Sequence, residues 1–175
     1  TAIASGDATG TTASELNTIN AATSVAIDAS AVTGLASDTV SNIKTLLTAG
    51  NDTDQFTSTS FSSLATAVVS DSSLSVADLT GAIDQANTAT GGTSTVFSLN
   101  SGATINGGTA SDFTSLLANE TASQVSITDQ NLTVDSGTIS VANARAFSAA
   151  TTGTVTGTVT SGTTMAAMLD SSNGL

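Results

Sequence analysis

Apolar residues recur along this chain in a fixed order: a short alternating run, a turn, a second short apolar pair, and a stretch with helical spacing. The clearest copies lie between Thr95 and Phe147. The first is Val96-Phe97-Ser98-Leu99, a turn at Asn100-Ser101-Gly102, the pair Thr104-Ile105, a Gly107-Gly108 break, and Ala110 to Leu117. The second is Val125-Ser126-Ile127, a turn around Asp129-Gln130-Asn131, then Leu132-Thr133-Val134, a Gly137 break, and Ile139 to Phe147. Alternation with period two marks strands, and i, i+3, i+4 spacing marks helices. Phe97 and Val125 are 28 residues apart, and a recurrence of that length is the signature of stacked repeats.

The same order extends outwards. Thr12-x-x-Glu15 fits a capping box opening a helix with Leu16 and Ile19 on its apolar face. Ser24 to Asp28 reads as a strand, followed by Val32 and Leu35. Ser37-Asp38-Thr39 caps a helix carrying Val40, Ile43, Leu46 and Leu47. Val68-Val69 restarts the pattern, Leu74 follows, and Ser75 to about Asn87 is a helix using Val76, Leu79 and Ile83. Thr154 to Thr160 is a last strand, and Thr163-Thr164 caps a helix with Met165, Met168 and Leu169. From Val69 to Phe97 is again 28 residues, and from Val125 to Val155 is 30. From Val25 to Val68 is 43, too long for one unit, so residues 51–66 read as an irregular insertion or a short coil.

The expected fold is an α/β repeat solenoid of short parallel strands alternating with short helices, in about five coils. Residues 1–175 form a single domain, read as a segment of a longer chain. Val25, Ile27, Val69, Phe97, Leu99, Val125 and Ile127 make the sheet side of its core. Leu46, Leu47, Leu79, Ile83, Phe113, Leu116, Leu117, Val141, Phe147 and Leu169 make the helix side. Neither end carries a charged edge-blunting strand, which fits continuation or end-to-end docking.

Composition favours this reading over one globular core. Leu, Ile, Val and Phe are 38 of 175 residues, just above the roughly 20% at which charged chains are expected to be disordered. Each coil of a solenoid needs only a few inward aliphatics. The net charge of −12, with Lys44 and Arg145 the only cations, argues against nucleic acid, whose binding rests on basic side chains. It also argues against anionic lipid surfaces. No apolar run approaches the roughly 20 residues of a membrane helix. Cys is absent, which removes disulfides and thiolate metal sites. An acidic, Lys-poor, Cys-free chain suits an extracellular or cell-surface setting.

Thr12 to Thr33 resembles a repeat of the form A-x-x-L-N-x-I-x-A-x-T-x-V-x-V-D-A-S-x-V-T. That repeat belongs to giant Ala/Thr/Ser-rich surface or secreted proteins of cyanobacteria, described as haemolysin-like or RTX-associated. The match covers about 22 residues. The resemblance implies an extracellular structural or adhesive role, in some cases with calcium-binding repeats elsewhere in the polypeptide, and it implies no active site.

Candidate chemistry is sparse. Gly50-Asn51-Asp52-Thr53 matches the middle of an RTX calcium nonapeptide, but Leu47-Thr48 replaces the leading Gly-Gly and Asp54 replaces the inward aliphatic. Asp52 and Asp54 are the candidate calcium ligands; a polar turn is the competing reading. Catalysis by paired carboxylates finds little footing, because Asp38, Asp78 and Asp112 sit at expected caps and the chain has no Trp or Tyr platform for sugars. Nucleophilic catalysis lacks a His and a G-x-S-x-G motif. Lys44 and Arg145 read as helix-surface residues. Thr154-x-Thr156 resembles one row of an ice-binding ladder, but the matching strands, Val125-Ser126-Ile127 and Phe97-Ser98-Leu99, do not continue it. Asn51, Asn119 and Asn131 begin N-x-S/T triplets, which arise by chance in a chain this rich in Ser and Thr.

The functional expectation is a structural module of a cell-surface fibre, sheath or adhesin that associates with itself or with further repeats and assembles into filaments. The alternative is a carbohydrate- or host-binding module, with surface polysaccharide as partner and Phe56 and Phe61 as an exposed recognition patch.

Overall fold

The computed structural model describes residues 10–92 and 95–160. The predicted helix at Thr163–Leu169 lies outside them. The described chain is a mixed α/β structure with parallel strands. In chain order the elements are α1 (Ala13–Ala21), β1 (Gly34–Asp38), α2 (Val40–Gly50), β2 (Thr66–Val69), β3 (Ser73–Ser75), α3 (Val76–Ala89), β4 (Val96–Ser98), β5 (Thr104–Gly108), α4 (Ala110–Thr121), β6 (Asn131–Val134), α5 (Val141–Ala150) and β7 (Val155–Thr156).

Local chemistry explains where the helices start. Thr12 and Thr109 close complete capping boxes with Glu15 and Asp112. Thr39 and Ser140 accept from the N–H of Asn42 and Asn143. Each cap satisfies a donor that the first helical turn leaves unpaired. The apolar faces are as spaced in the sequence: Val40, Ile43, Leu46 and Leu47 on α2, and Val76, Leu79, Ala82, Ile83 and Ala86 on α3, are all buried. Each helix packs against the next, from α1 through to α5.

The strands form two parallel sheets, ordered β1-β2-β4 and β3-β5-β6-β7. Inward residues line up in two rows. Leu35 pairs with Ala67, Ala67 with Phe97, and Phe97 with Val125. Leu74 pairs with Ile105, Ile105 with Leu132, and Leu132 with Val155. Two shorter parallel bridges, Ile27 to Phe56 and Ile139 to Val159, flank them. Burying each large aliphatic or Phe side chain in these rows contributes about 1.5–3 kcal/mol.

Three expectations about register change. Phe97 does pair with Val125, but its partner on the other side is Ala67; Val69 pairs with Asp38. Val155 pairs with Leu132 and not with Val125. Residues 51–66 are not looped out: Phe56 bridges Ile27, and Phe56, Ser60, Phe61 and Leu64 are buried. The common cause is that the second and fourth segments contain an additional strand position, a segment being the strand positions that lead into one helix and α2's own the first. The second runs from the end of α2 to α3 and the fourth from the end of α4 to α5. The second has Phe56, β2 and β3 before its helix. The fourth has Val125, β6 and Ile139.

Core membership changes at a few positions. Val25 is 65% exposed, because the strand character begins only at Ile27. Leu99 and Leu117 are partly buried against the core, and Val141 is half-buried at the start of α5. Ile27, Val69, Phe97, Val125, Ile127, Leu46, Leu47, Leu79, Ile83, Phe113, Leu116 and Phe147 are all buried.

Candidate functional site

The recurring polar chemistry of this molecule lies at the joints between successive segments. Asp38 ends β1. Its Oδ2 accepts from the N–H of Ser14 in the first turn of α1 (2.6 Å), and its Oδ1 accepts from Thr39 N–H and Asn42 Nδ2 (2.8 Å each). Asp71 does the same one segment later, accepting from the N–H of Val40, the first residue of α2 (2.7 Å). Asp135 accepts from Gly107 N–H just ahead of α4 (2.6 Å). In each case the carboxylate belongs to the segment that follows. A negative group at a helix N-terminus satisfies an unpaired donor and opposes the positive end of the macrodipole. Burial pushes the Asp38 carboxyl up, but bonds from Asn42, Ser14 and Thr39 outweigh it and hold the group below its ordinary value.

The other ends of the helices are joined by carboxamides. Asn20 donates to Gln55 Oε1 (2.8 Å), Asn51 donates to Gln85 Oε1 (2.7 Å) and to its carbonyl (3.2 Å), and Gln124 donates to Asn87 Oδ1 (2.5 Å). A carboxamide is donor and acceptor at once, so one pair closes each of the three joints from α1 to α4 without an ion. Lys44 Nζ adds an ion pair to Asp78 Oδ1 across α2 and α3 at 2.9 Å, with both side chains about 40% exposed. Such a pair contributes little to stability.

Asp52 and Asp54 fall in the exposed turn after α2. Asp52 Oδ1 accepts from Asp54 N–H (3.0 Å) and its Oδ2 from Gln55 Nε2 (2.8 Å). The bond from Gln55, then that from Asp54, hold the Asp52 carboxyl below its ordinary value. The competing polar-turn reading describes this geometry. No third acidic side chain joins the two among the described residues. Asp52 also borders a polar groove with Ser41, Lys44, Thr45, Thr48, Gln55 and Asp78. The hydroxyls of Thr45 and Thr48 are directed to the helix carbonyls of Ser41 and Lys44.

Phe56 and Phe61 do not form an exposed patch. Both are fully buried, with ring centroids 5.2 Å apart. The polar neighbours that suggested a surface loop are partly internal: Ser60 accepts from Ala29 N–H (3.0 Å) and donates to the Ile27 carbonyl (3.1 Å). These bonds fold the segment inwards and carry both rings into the core. Two of the three N-x-S/T asparagines are also engaged, Asn51 with Gln85 and Asn131 with the Gly102 carbonyl (3.0 Å).

The acidic groups described here serve as acceptors at caps and turns. The carboxyls of Glu15 and Asp112 are held down by bonds from Thr12 and Thr109, backbone first and hydroxyl second. Sequence reasoning placed Asp38 and Asp112 at caps but missed that Asp38, Asp71 and Asp135 reach across to a neighbouring segment. It also missed the carboxamide pairs, whose members lie 35, 34 and 37 residues apart. Those separations exceed the 28-residue strand recurrence, so that recurrence does not align the partners. Comparison with known proteins gives no match of any kind: no family model, no curated protein and no solved structure aligns with this chain.

Proposed function

We propose that this chain is an extracellular structural module, an α/β solenoid of about five coils that extends a cell-surface fibre, sheath or adhesin and associates with copies of itself or with further repeats. The observation that carries this reading is the row Leu74–Ile105–Leu132–Val155, in which four successive segments pair in parallel without a break. Stacking of this kind makes stability a sum over neighbouring joints, and a stack lengthens by adding the same joint again. The aspartate caps and carboxamide pairs support it, because each ties a segment to its neighbour rather than to itself. The acidic, Cys-free, Lys-poor composition supports the extracellular setting. The burial of Phe56 and Phe61 removes the feature that favoured a carbohydrate- or host-binding module.

Electron microscopy of the purified chain, with and without EDTA, tests the proposal. Ordered filaments that survive EDTA are the expected result. Filaments lost on chelation would make Asp52 and Asp54 a calcium clamp within the same structural role. Isolated compact particles in both conditions would overturn self-assembly.

A further inference from the structure

The row of helices has an open side at its first member. Helices α2, α3 and α4 each pack between two helices, whereas α1 starts the row and packs on α2. Asn17 and Asn20 face that neighbour, donating to the Asn42 carbonyl (3.1 Å) and to Gln55 Oε1 (2.8 Å). On the opposite side Ser14, Glu15, Thr18 and Ile19 are exposed. A groove of about 590 Å³ lies there, bordered by Gly10, Thr11, Ser14, Thr18 and Ile19, with the buried Leu16 at its floor. Of the large hydrophobic residues exposed among the described ones, Ile19 (45%) and Val25 (65%) belong to α1 and the loop after it.

We propose, on the premise of the fibre reading, that this groove receives the Thr163–Leu169 stretch of a second copy, so that copies join head to tail. Continuity with the packing already present carries the assignment. Each helix from α2 to α5 covers one side of the helix before it, and in a fibre the element that covers α1 is the last one of the preceding copy. The sequence of that stretch suits the groove. Met165, Met168 and Leu169 stand at i, i+3 and i+4, one apolar face of the helix their spacing predicts. Methionine is unbranched and fills irregular apolar gaps, such as the one between Ile19 and Leu16. Charge agrees with this choice of surfaces. Copies with a net charge of −12 repel one another, so a joint costs least where neither side is charged. Leu16 to Ile27 carries no charge, and neither does Ala146 to Leu169. Glu15, the carboxylate at the groove, is turned back onto Thr12, whose N–H and hydroxyl both donate to it at 2.9 Å.

Sedimentation of the full chain tests the joint, with Ile19→Asp and Met168→Asp as variants. The parent is expected to form chains of copies that lengthen with concentration. Each variant alone is expected to stay monomeric at those concentrations while keeping the parent circular dichroism. Their equimolar mixture is expected to give a 1:1 dimer and nothing longer, because one keeps a free Thr163–Leu169 stretch and the other a free groove. If Ile19→Asp fails to fold, Thr18→Glu, at an exposed position of the same groove, takes its place. A folded groove variant that still assembles like the parent overturns this joint and leaves the fibre reading standing. So does a mixture that stays monomeric. A lowered melting temperature in Ile19→Asp with assembly unchanged would put the chain's own residues 1–9 in the groove, which also overturns the joint. A monomeric parent overturns self-association itself.

Discussion

The ring of Phe61 fills the space that a side chain at Gly50 would need. A Cβ at Gly50 would lie 2.7 Å from Phe61 Cδ2 and 2.8 Å from Cε2. Phe61 is fully buried, packs against Phe56 with the rings tilted by 51°, and holds a φ of 59° that a bulky residue rarely adopts. The last residue of α2 therefore lies against an aromatic ring of the following loop, with no room for a side chain. Gly50→Ala should destabilise the chain by about 1–3 kcal/mol through overpacking. In a Phe61→Ala background the same change should cost much less, because the two sites share one space. Urea denaturation of the four proteins of that cycle measures it; additive effects would contradict the contact.

Phe97 sits at the middle of a row, between Ala67 and Val125. Phe97→Ala should cost about 3–5 kcal/mol, and Phe97→Asp should unfold the centre of the array by burying an unpaired charge. A Phe97→Asp variant that kept the parent melting temperature would remove Phe97 from the core.

Asp38 makes the chain's stability depend on pH in a defined direction. Its folded pKa lies below its unfolded value, so its contribution is present above the unfolded value near 3.9 and is lost as pH falls through the folded one. Asp38→Asn should be less stable than the parent at neutral pH, and its stability should fall less steeply below about pH 4. Denaturation midpoints across that range compare the two. Parallel curves would mean that Asp38 bears no linked proton.

Much of this arrangement was legible in the residues. The helix faces were, because Val40, Ile43, Leu46 and Leu47 leave only one way to wind. So were the capping box of Thr12 with Glu15 and the pairing of Phe97 with Val125. Register was not legible elsewhere, for a physical reason. A shift of one residue reverses the faces of a strand, but a shift of two restores them, so alternation alone does not separate Ala67 from Val69 as the partner of Phe97. The position of Phe61 was hidden differently. Ser58, Thr59, Ser62 and Ser63 surround it with surface chemistry, and only the bonds of Ser60 to Ala29 and Ile27 reveal that the loop turns in. The resemblance of Thr12 to Thr33 covers a stretch that here spans α1, the Ile27 bridge and the approach to β1.

Asp71 should behave as a cap supplied from outside the helix. Asp71→Ala leaves Val40 N–H without its acceptor and should cost about 0.5–2 kcal/mol. Lys44→Met, which removes the exposed ion pair with Asp78, should cost at most about 1 kcal/mol. A larger loss from Lys44→Met than from Asp71→Ala would reverse the assigned importance of caps and ion pairs.

The fold is defined by which strands are neighbours, and a chain without cysteine allows that to be measured cleanly. Thr133 and Thr156 face each other on adjacent strands. Strand neighbours lie about 4.8 Å apart, within the Cα separation a disulfide spans. Oxidation of Thr133→Cys/Thr156→Cys should therefore give an intramolecular disulfide in the folded protein. Ser126→Cys/Thr156→Cys, the pair implied by the 30-residue spacing of Val125 and Val155, should give none. A disulfide in the second pair and not in the first would contradict the stacking on which the fold and the proposed fibre role both depend.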